Sequence, residues 1–316
     1  MTLYSMSRRY LESTTNVSMP NLCFFSLLVL TSVGIVYPQE SFAIEGQVSS
    51  RPVAIGQLVV VGSDQGLYAY DLNLSKVVWT VNIAVEELYS ANQYAIVSSS
   101  EETTVIDIDG NMLRTFPKSE VAVYLDYVYL MYDDGIHVFN TKGNFSAVRS
   151  FPLSDYALSG CSGLIVCNGE IIVNCGGRLT NLYTHSVLNV SQCQKLYNIK
   201  DRIICYNDYT VTFYSCDLDP VNSEYFEGEI IDYGSSEDGL FFTLSDNSLL
   251  LTDRQGNRIW KTQVPLVTRA ANVDKYYIVG SKDEILYILD NHGYIRFEYP
   301  VDDWPCLLYT SPSPRD

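Results

Sequence analysis

From Gln57 onward a single pattern returns about every 36 residues: an apolar run, a polar turn, an alternating run, an Asp or Asn opening a second turn, then a run carrying an aromatic. It is legible in "QLVVVGSDQGLYAYDLNLSKVVWTV" (from Gln57), "QYAIVSSSEETTVIDIDGNMLRTF" (from Gln93), "DYVYLMYDDGIHVFNTKGNFSAVRSF" (from Asp126), "DRIICYNDYTVTFYSCDLDPVNSEYF" (from Asp201), "DGLFFTLSDNSLLLTDRQGNRIWKTQ" (from Asp238) and "KYYIVGSKDEILYILDNHGYIRFEY" (from Lys275). The residue opening the second turn reads as Asp71, Asp107, Asn140, Asp217, Asp253 and Asp290. The wide gap between Asn140 and Asp217 holds one more unit, "SGLIVCNGEIIVNCGGRLTNLY" from Ser162, which keeps an Asn168-Gly169 turn but lacks the Asp. Seven units thus fit between Gln47 and Pro300.

Inside a unit, period-two alternation in short runs joined by tight turns specifies antiparallel strands, and no stretch after Val48 keeps a helical period. Four short strands cannot bury both faces of their own sheet, so neighbouring units must stack, and closing the stack into a ring gives a β-propeller. The expected fold is all-β, with seven four-stranded blades, the Cys-rich fourth and fifth being least regular. After Pro300 the pattern asks for another first strand; residues 301–305 begin one and the pattern then stops, as in a propeller truncated from eight blades. The last eleven residues, "CLLYTSPSPRD" (306–316), resemble a translated sequencing-library adapter and are read as non-biological.

In "AYDLNLSKVVW", Ala69, Asp71, Lys76 and Trp79 fall at the spacing A-x-D-x-x-T-G-K-x-x-W, with Leu74 and Ser75 in place of Thr-Gly, and "DRQGNRIW" (Asp253 to Trp260) is similar. The chain resembles the PQQ-like, quinoprotein-type β-propeller repeat proteins. That resemblance implies that Trp79 and Trp260 are structural, packing between blades. Catalytic members are much longer and carry adjacent cysteines near the quinone. This chain has none, which places the resemblance in the non-catalytic branch with no cofactor expected.

The N-terminus reads as an export signal: Arg8 and Arg9, an apolar run from Leu22 to Val36, Pro38, and small residues Ser41 and Ala43 flanking Phe42. Residues 1–43 are expected to be a cleaved signal peptide, or an N-terminal anchor, which would be the only membrane contact. Cysteine usage agrees with a periplasmic or extracellular protein. Cys161, Cys167, Cys175, Cys193, Cys205 and Cys216 lie in one short window, and six cysteines permit fifteen pairings. No C-x-x-C spacing occurs, and His137, His185 and His292 are isolated, so neither a metal site nor a triad is indicated.

The net charge is −17, which argues against nucleic acid and anionic membrane surfaces as partners. In a propeller, the second-to-third strand turns and the links between blades share one end. That set holds Glu86, Glu87, Glu101, Glu102, Asp133, Asp134, Asp208, Asp246, Asp283 and Glu284, together with Asp64, Glu120, Asp155, Glu227, Glu229, Asp302 and Asp303, against Lys118, Arg269 and Lys282. Such an end suits a basic protein partner or, more weakly, calcium. "DIDGN" (Asp107 to Asn111) echoes a calcium loop but is complete as a tight turn. Asn73, Asn144 and Asn189 open glycosylation sequons. The expected function is an exported, non-catalytic scaffold that binds protein through its acidic end, in an oligomeric state that the sequence leaves open. The alternative is a quinoprotein-like or glycan-processing enzyme, which would need titratable groups converging in the channel.

Overall fold

The computed structural model describes residues 49–300, apart from 51, 72–75, 133–134, 192, 200, 266 and 274. The export signal at 1–43 and the stretches 301–305 and 306–316 lie outside the described residues, as do Asn73, Leu74, Ser75, Asp133 and Asp134.

Seven antiparallel sheets of four strands follow one another as a seven-bladed propeller. The innermost strands are Val53–Ile55, Glu87–Ala91, Glu120–Tyr124, Cys161–Cys167, Lys195–Ile199, Ile230–Ser235 and Val267–Val273. The outermost are Lys76–Val81, Met112–Pro117, Ser146–Pro152, Val187–Asn189, Pro220–Tyr225, Arg258–Gln263 and Ile295–Pro300. Middle strands such as Leu58–Gly62, Tyr94–Ser98, Leu240–Leu244 and Ser248–Thr252 are buried throughout, because a neighbouring blade covers each face. That two-sided burial is why they read as unbroken apolar runs. The outermost strands are largely exposed. Among the described residues the sole helix is a 3-10 turn, Leu153–Tyr156, and no helix is long and apolar enough to cross a membrane.

The turn between the third and fourth strands is one device repeated. Asp107 accepts the Asp109 and Asn111 amides at 3.0 and 2.8 Å, and Asp253 accepts those of Gln255 and Asn257 at 2.9 and 2.8 Å. Asp290 does the same for His292 and Tyr294. A β-bulge lies just ahead of the turn in six blades, at Ala69/Tyr70, Val105/Ile106, Val138/Phe139, Phe213/Tyr214, Leu251/Thr252 and Ile288/Leu289.

This geometry corrects the fifth blade. The residue that opens its turn is Ser215, not Asp217: Ser215 bonds Asp219 and Leu218 through the backbone, and its hydroxyl takes the Asp219 amide at 3.2 Å. Leu218 consequently occupies the left-handed position, φ 69°, where Gly110 and Gly293 stand in their blades. The fourth blade has an opener as well. Asn181, fully buried, accepts the Tyr183 and Thr184 amides in a longer turn that ends with His185 at φ 58°.

One apolar cluster fills each described junction between consecutive blades. Between blades one and two it is built from Ile55, Val60, Leu67, Val97 and Ile106; between six and seven, from Phe241, Leu249, Tyr277 and Leu289. Trp79 closes the first by donating Nε1–H to the Ile108 carbonyl at 2.8 Å, and Trp260 closes the last by donating to Asn291 at 2.9 Å. Each accepting carbonyl belongs to the residue after the turn-opening Asp. Between blades four and five the same place is served differently: Asn181 Nδ2 donates to the Cys216 carbonyl at 3.0 Å, and Cys216 is disulfide-bonded to Cys167. The other disulfides, Cys161–Cys175 and Cys193–Cys205, stay within or beside a single blade.

The turn carboxylates make stability depend on acid. Burial pushes Asp290 up, but the Tyr294 and His292 amides and the Arg296 guanidinium outweigh it and hold the carboxyl below its ordinary range. Asp253 is lowered likewise, burial being outweighed by Asn257 and the turn amides. A depressed folded-state pKa contributes stability that is complete above the unfolded value, about 3.9, and is lost as pH falls through the folded one. Urea midpoints should therefore be flat from neutrality down to about pH 4 and fall below it. Asp290→Asn should lower the neutral midpoint and shrink the acid-side fall; an unchanged acid limb would contradict the assignment.

Candidate functional site

Because strands alternate in direction, the second-to-third turns and the links between blades emerge at the same end of every blade. Backbone bonds tie them together: Val85 to Ser63 at 3.0 Å, Glu86 to Ser98 at 2.9 Å, Lys118 to Glu101 at 3.0 Å, Gln194 to Tyr206 at 2.9 Å and Ser245 to Glu229 at 2.8 Å. Glu86, Glu87, Glu101, Glu102, Asp208, Asp246, Asp283 and Glu284 sit on this end. Glu102 and Asp246 are half-buried and the others exposed.

The charge there is less one-sided than the loops alone suggest. Lys118 pairs with Glu86 at 2.9 Å, as expected of a base on this end. Lys195 pairs with Glu229 at 3.8 Å, and Lys261 bridges Asp246, at 2.6 Å, and Glu227. Lys195 and Lys261 escape a loop-by-loop count because they lie in strands, with only their side chains reaching the end. No described ion pair reaches Glu87, Glu101, Glu120, Asp208, Asp283 or Glu284. Asp208 is instead held by Gln194 Nε2 at 2.7 Å and Asp283 by the Tyr287 hydroxyl at 3.3 Å.

Innermost strands bring tyrosines inward. Tyr89 donates to Glu87 at 2.5 Å, and burial raises its phenol well above the ordinary value, aided by Glu87, Glu120 and Tyr233. Tyr89 belongs to blade two and Tyr233 to blade six, and both face the lumen from innermost strands. Tyr233 meets Tyr197 edge-to-face at 4.8 Å, and burial, then Tyr233, pushes Tyr197 up to about 12. The Tyr89 and Tyr197 phenols stay protonated at neutral pH. Burial, then Glu87, raises Glu120, against which Lys118 acts weakly.

The histidines stand apart. His137 stacks on Tyr132 at 4.3 Å, His185 ends a turn, and the His292 amide caps Asp290. The Asp107 carboxylate is taken up by its own turn, and among the described residues no three His, Cys, Asp or Glu side chains form a metal-binding group.

No family model matches the sequence, and no curated protein matches it. Solved structures do. The chain is similar to BamB from Moraxella catarrhalis, at 14% identity and TM-score 0.59, covering 83% of this chain and 93% of that one. It is similar to Hsv2 from Kluyveromyces lactis, at 10% identity and TM-score 0.55, over 81% of this chain and 100% of that one. A third likeness is to the dihydro-heme d1 dehydrogenase NirN in complex with DHE, at 13% identity and TM-score 0.69, over 96% and 74%. At such identities the likeness is one of fold alone.

Proposed function

We propose that the protein is an exported, non-catalytic scaffold whose acidic end binds a basic protein partner. The observation that carries this reading is the gathering of Glu87, Glu101, Glu120, Asp208, Asp283 and Glu284 on one end with no described ion pair. Exposed like charges repel one another, and a cationic surface relieves that repulsion. The three disulfides accord with an oxidising compartment. BamB and Hsv2 show that this fold occurs in chains very different from this one in sequence. The lumen presents tyrosines beside the Glu87 and Glu120 carboxylates, which suit hydrogen bonding to a partner.

Polylysine should bind the full chain at low salt and lose most of its affinity near 1 M salt, where the screening length falls from about 10 Å to about 3 Å. Removing three charges by Glu101→Gln, Asp208→Asn and Asp283→Asn should weaken binding about tenfold, a loss of about 1.4 kcal/mol. Calcium, titrated in parallel, separates a cation site from a protein-binding surface. Absence of polylysine binding at low salt would reduce the acidic end to a solubility device.

A further inference from the structure

A cavity of about 510 Å³ opens on the acidic end between blades three and four. Its walls are the link Leu153–Gly160 with the start of blade four's innermost strand at Cys161 and Ser162, the ends of the first two strands of blade three and the link through Lys118 and Ser119. We propose that this cavity is the anchor pocket of the acidic end and takes a single lysine or arginine side chain from the partner, an inference that rests on the function proposed above.

Three features converge on that occupant. Met131, Leu153 and Leu158 give an apolar wall suited to a methylene stem. The Glu120 carboxylate lines the same cavity and has no hydrogen bond or ion pair among the described residues, while Glu87 is close enough to act on it electrostatically. Lys118, the one cation in the lining, is already engaged by Glu86 at 2.9 Å, so it does not neutralise Glu120. An apolar or anionic occupant would strip water from Glu120 and return nothing, and a neutral donor would return a hydrogen bond without charge; an ammonium or guanidinium supplies both the bond and the missing counter-charge. The volume lies within the range usual for small-molecule sites, about 300–1,000 Å³, and exceeds what a side chain alone fills, leaving room for water around its head group.

The pocket is also built in advance. Its link is folded by the Leu153–Tyr156 turn, with the Ala157 and Leu158 amides donating to Ser154 and Leu153 at 3.0 and 3.1 Å. Cys161, at its far end, is disulfide-bonded to Cys175. Little ordering is therefore left to oppose binding.

Two measurements on the full chain test this. In the first, Glu120→Gln, which keeps size and shape, should weaken polylysine at least fivefold, whereas Asp208→Asn, the same charge change elsewhere on the end, should weaken it less than twofold. Equal losses would overturn the anchor while leaving the acidic end standing. The second uses n-butylguanidinium, which probes the pocket without the rest of the end. The Leu153 and Leu158 methyl resonances should shift saturably with it, hardly at all with n-butanol, and not in Glu120→Gln. Equal shifts with n-butanol, or no shift with either, would overturn the cation site. Failure of wild-type protein to bind polylysine, with n-butylguanidinium still bound, would instead fault the wider function and spare the pocket.

Discussion

Replacing Cys167 and Cys216 together by serine should lower the unfolding free energy by about 4 kcal/mol, against about 3 kcal/mol for either of the other two disulfides. The difference follows from the loops closed: 49 residues apart for Cys167–Cys216, but 14 and 12 for Cys161–Cys175 and Cys193–Cys205. A longer loop removes more freedom from the unfolded chain. The long one also joins two blades, linking the first strand of the fourth to the turn of the fifth, beside the bond from Asn181 to Cys216. Cys167 is fully buried, so serine adds an unsatisfied hydroxyl to the loss. The midpoint of thermal unfolding should fall by about 10 °C. Equal destabilisation by all three serine pairs would mean that loop closure is not what the bonds contribute.

The blades were legible in the sequence because burial and hydrogen bonding at each step leave a mark on residue type. Covered on both faces, a strand such as Leu58–Gly62 must be apolar throughout, and a turn whose amides need an acceptor must open on a short polar side chain. The second rule is also where sequence reading slipped. Serine, asparagine and aspartate can all accept those amides, so in "YSCDLD" the eye takes Asp217 while the chain uses Ser215, two residues earlier. In the fourth unit Asn181 opens a longer turn, which a fixed spacing of the opener does not find. The tryptophan spacing pointed to the junctions that Trp79 and Trp260 occupy, whereas the substitute between blades four and five, an asparagine with a disulfide, has no such spacing. For the acidic end, loop residues could be placed from the repeat alone. Lys195 and Lys261 could not, since whether a strand residue reaches the end depends on its side chain. The pocket had no sequence signal at all: it arises from the path of one link, Leu153–Gly160, whose composition is that of any loop.

Gly239→Ala should destabilise the protein by about 3 kcal/mol or more, although the residue lies in an ordinary polar turn, "SSEDG", and has no unusual backbone torsion. A methyl group at Gly239 would sit 1.9 Å from the Thr252 carbonyl oxygen, 2.9 Å from its carbon and 3.0 Å from Asp253 Cα. All three are backbone atoms, so the clash cannot be relieved by turning a side chain; the sheet edge itself must move. Movement there reaches the next blade. The Ser236 hydroxyl accepts the Gly239 amide at 3.2 Å and pairs with the Tyr277 hydroxyl at 2.8 Å, and Tyr277 is fully buried in the cluster between blades six and seven. Displacing the turn separates this pair and leaves a buried phenol, pushed up to about 12 by burial, without its partner. Ser236→Ala isolates that last contribution, removing the hydroxyl without the clash, and should cost about 1–2 kcal/mol. Denaturant midpoints of the two variants decide the matter: Gly239→Ala no worse than Ser236→Ala would show that the backbone at Thr252 yields freely and that the glycine is not held there by close approach.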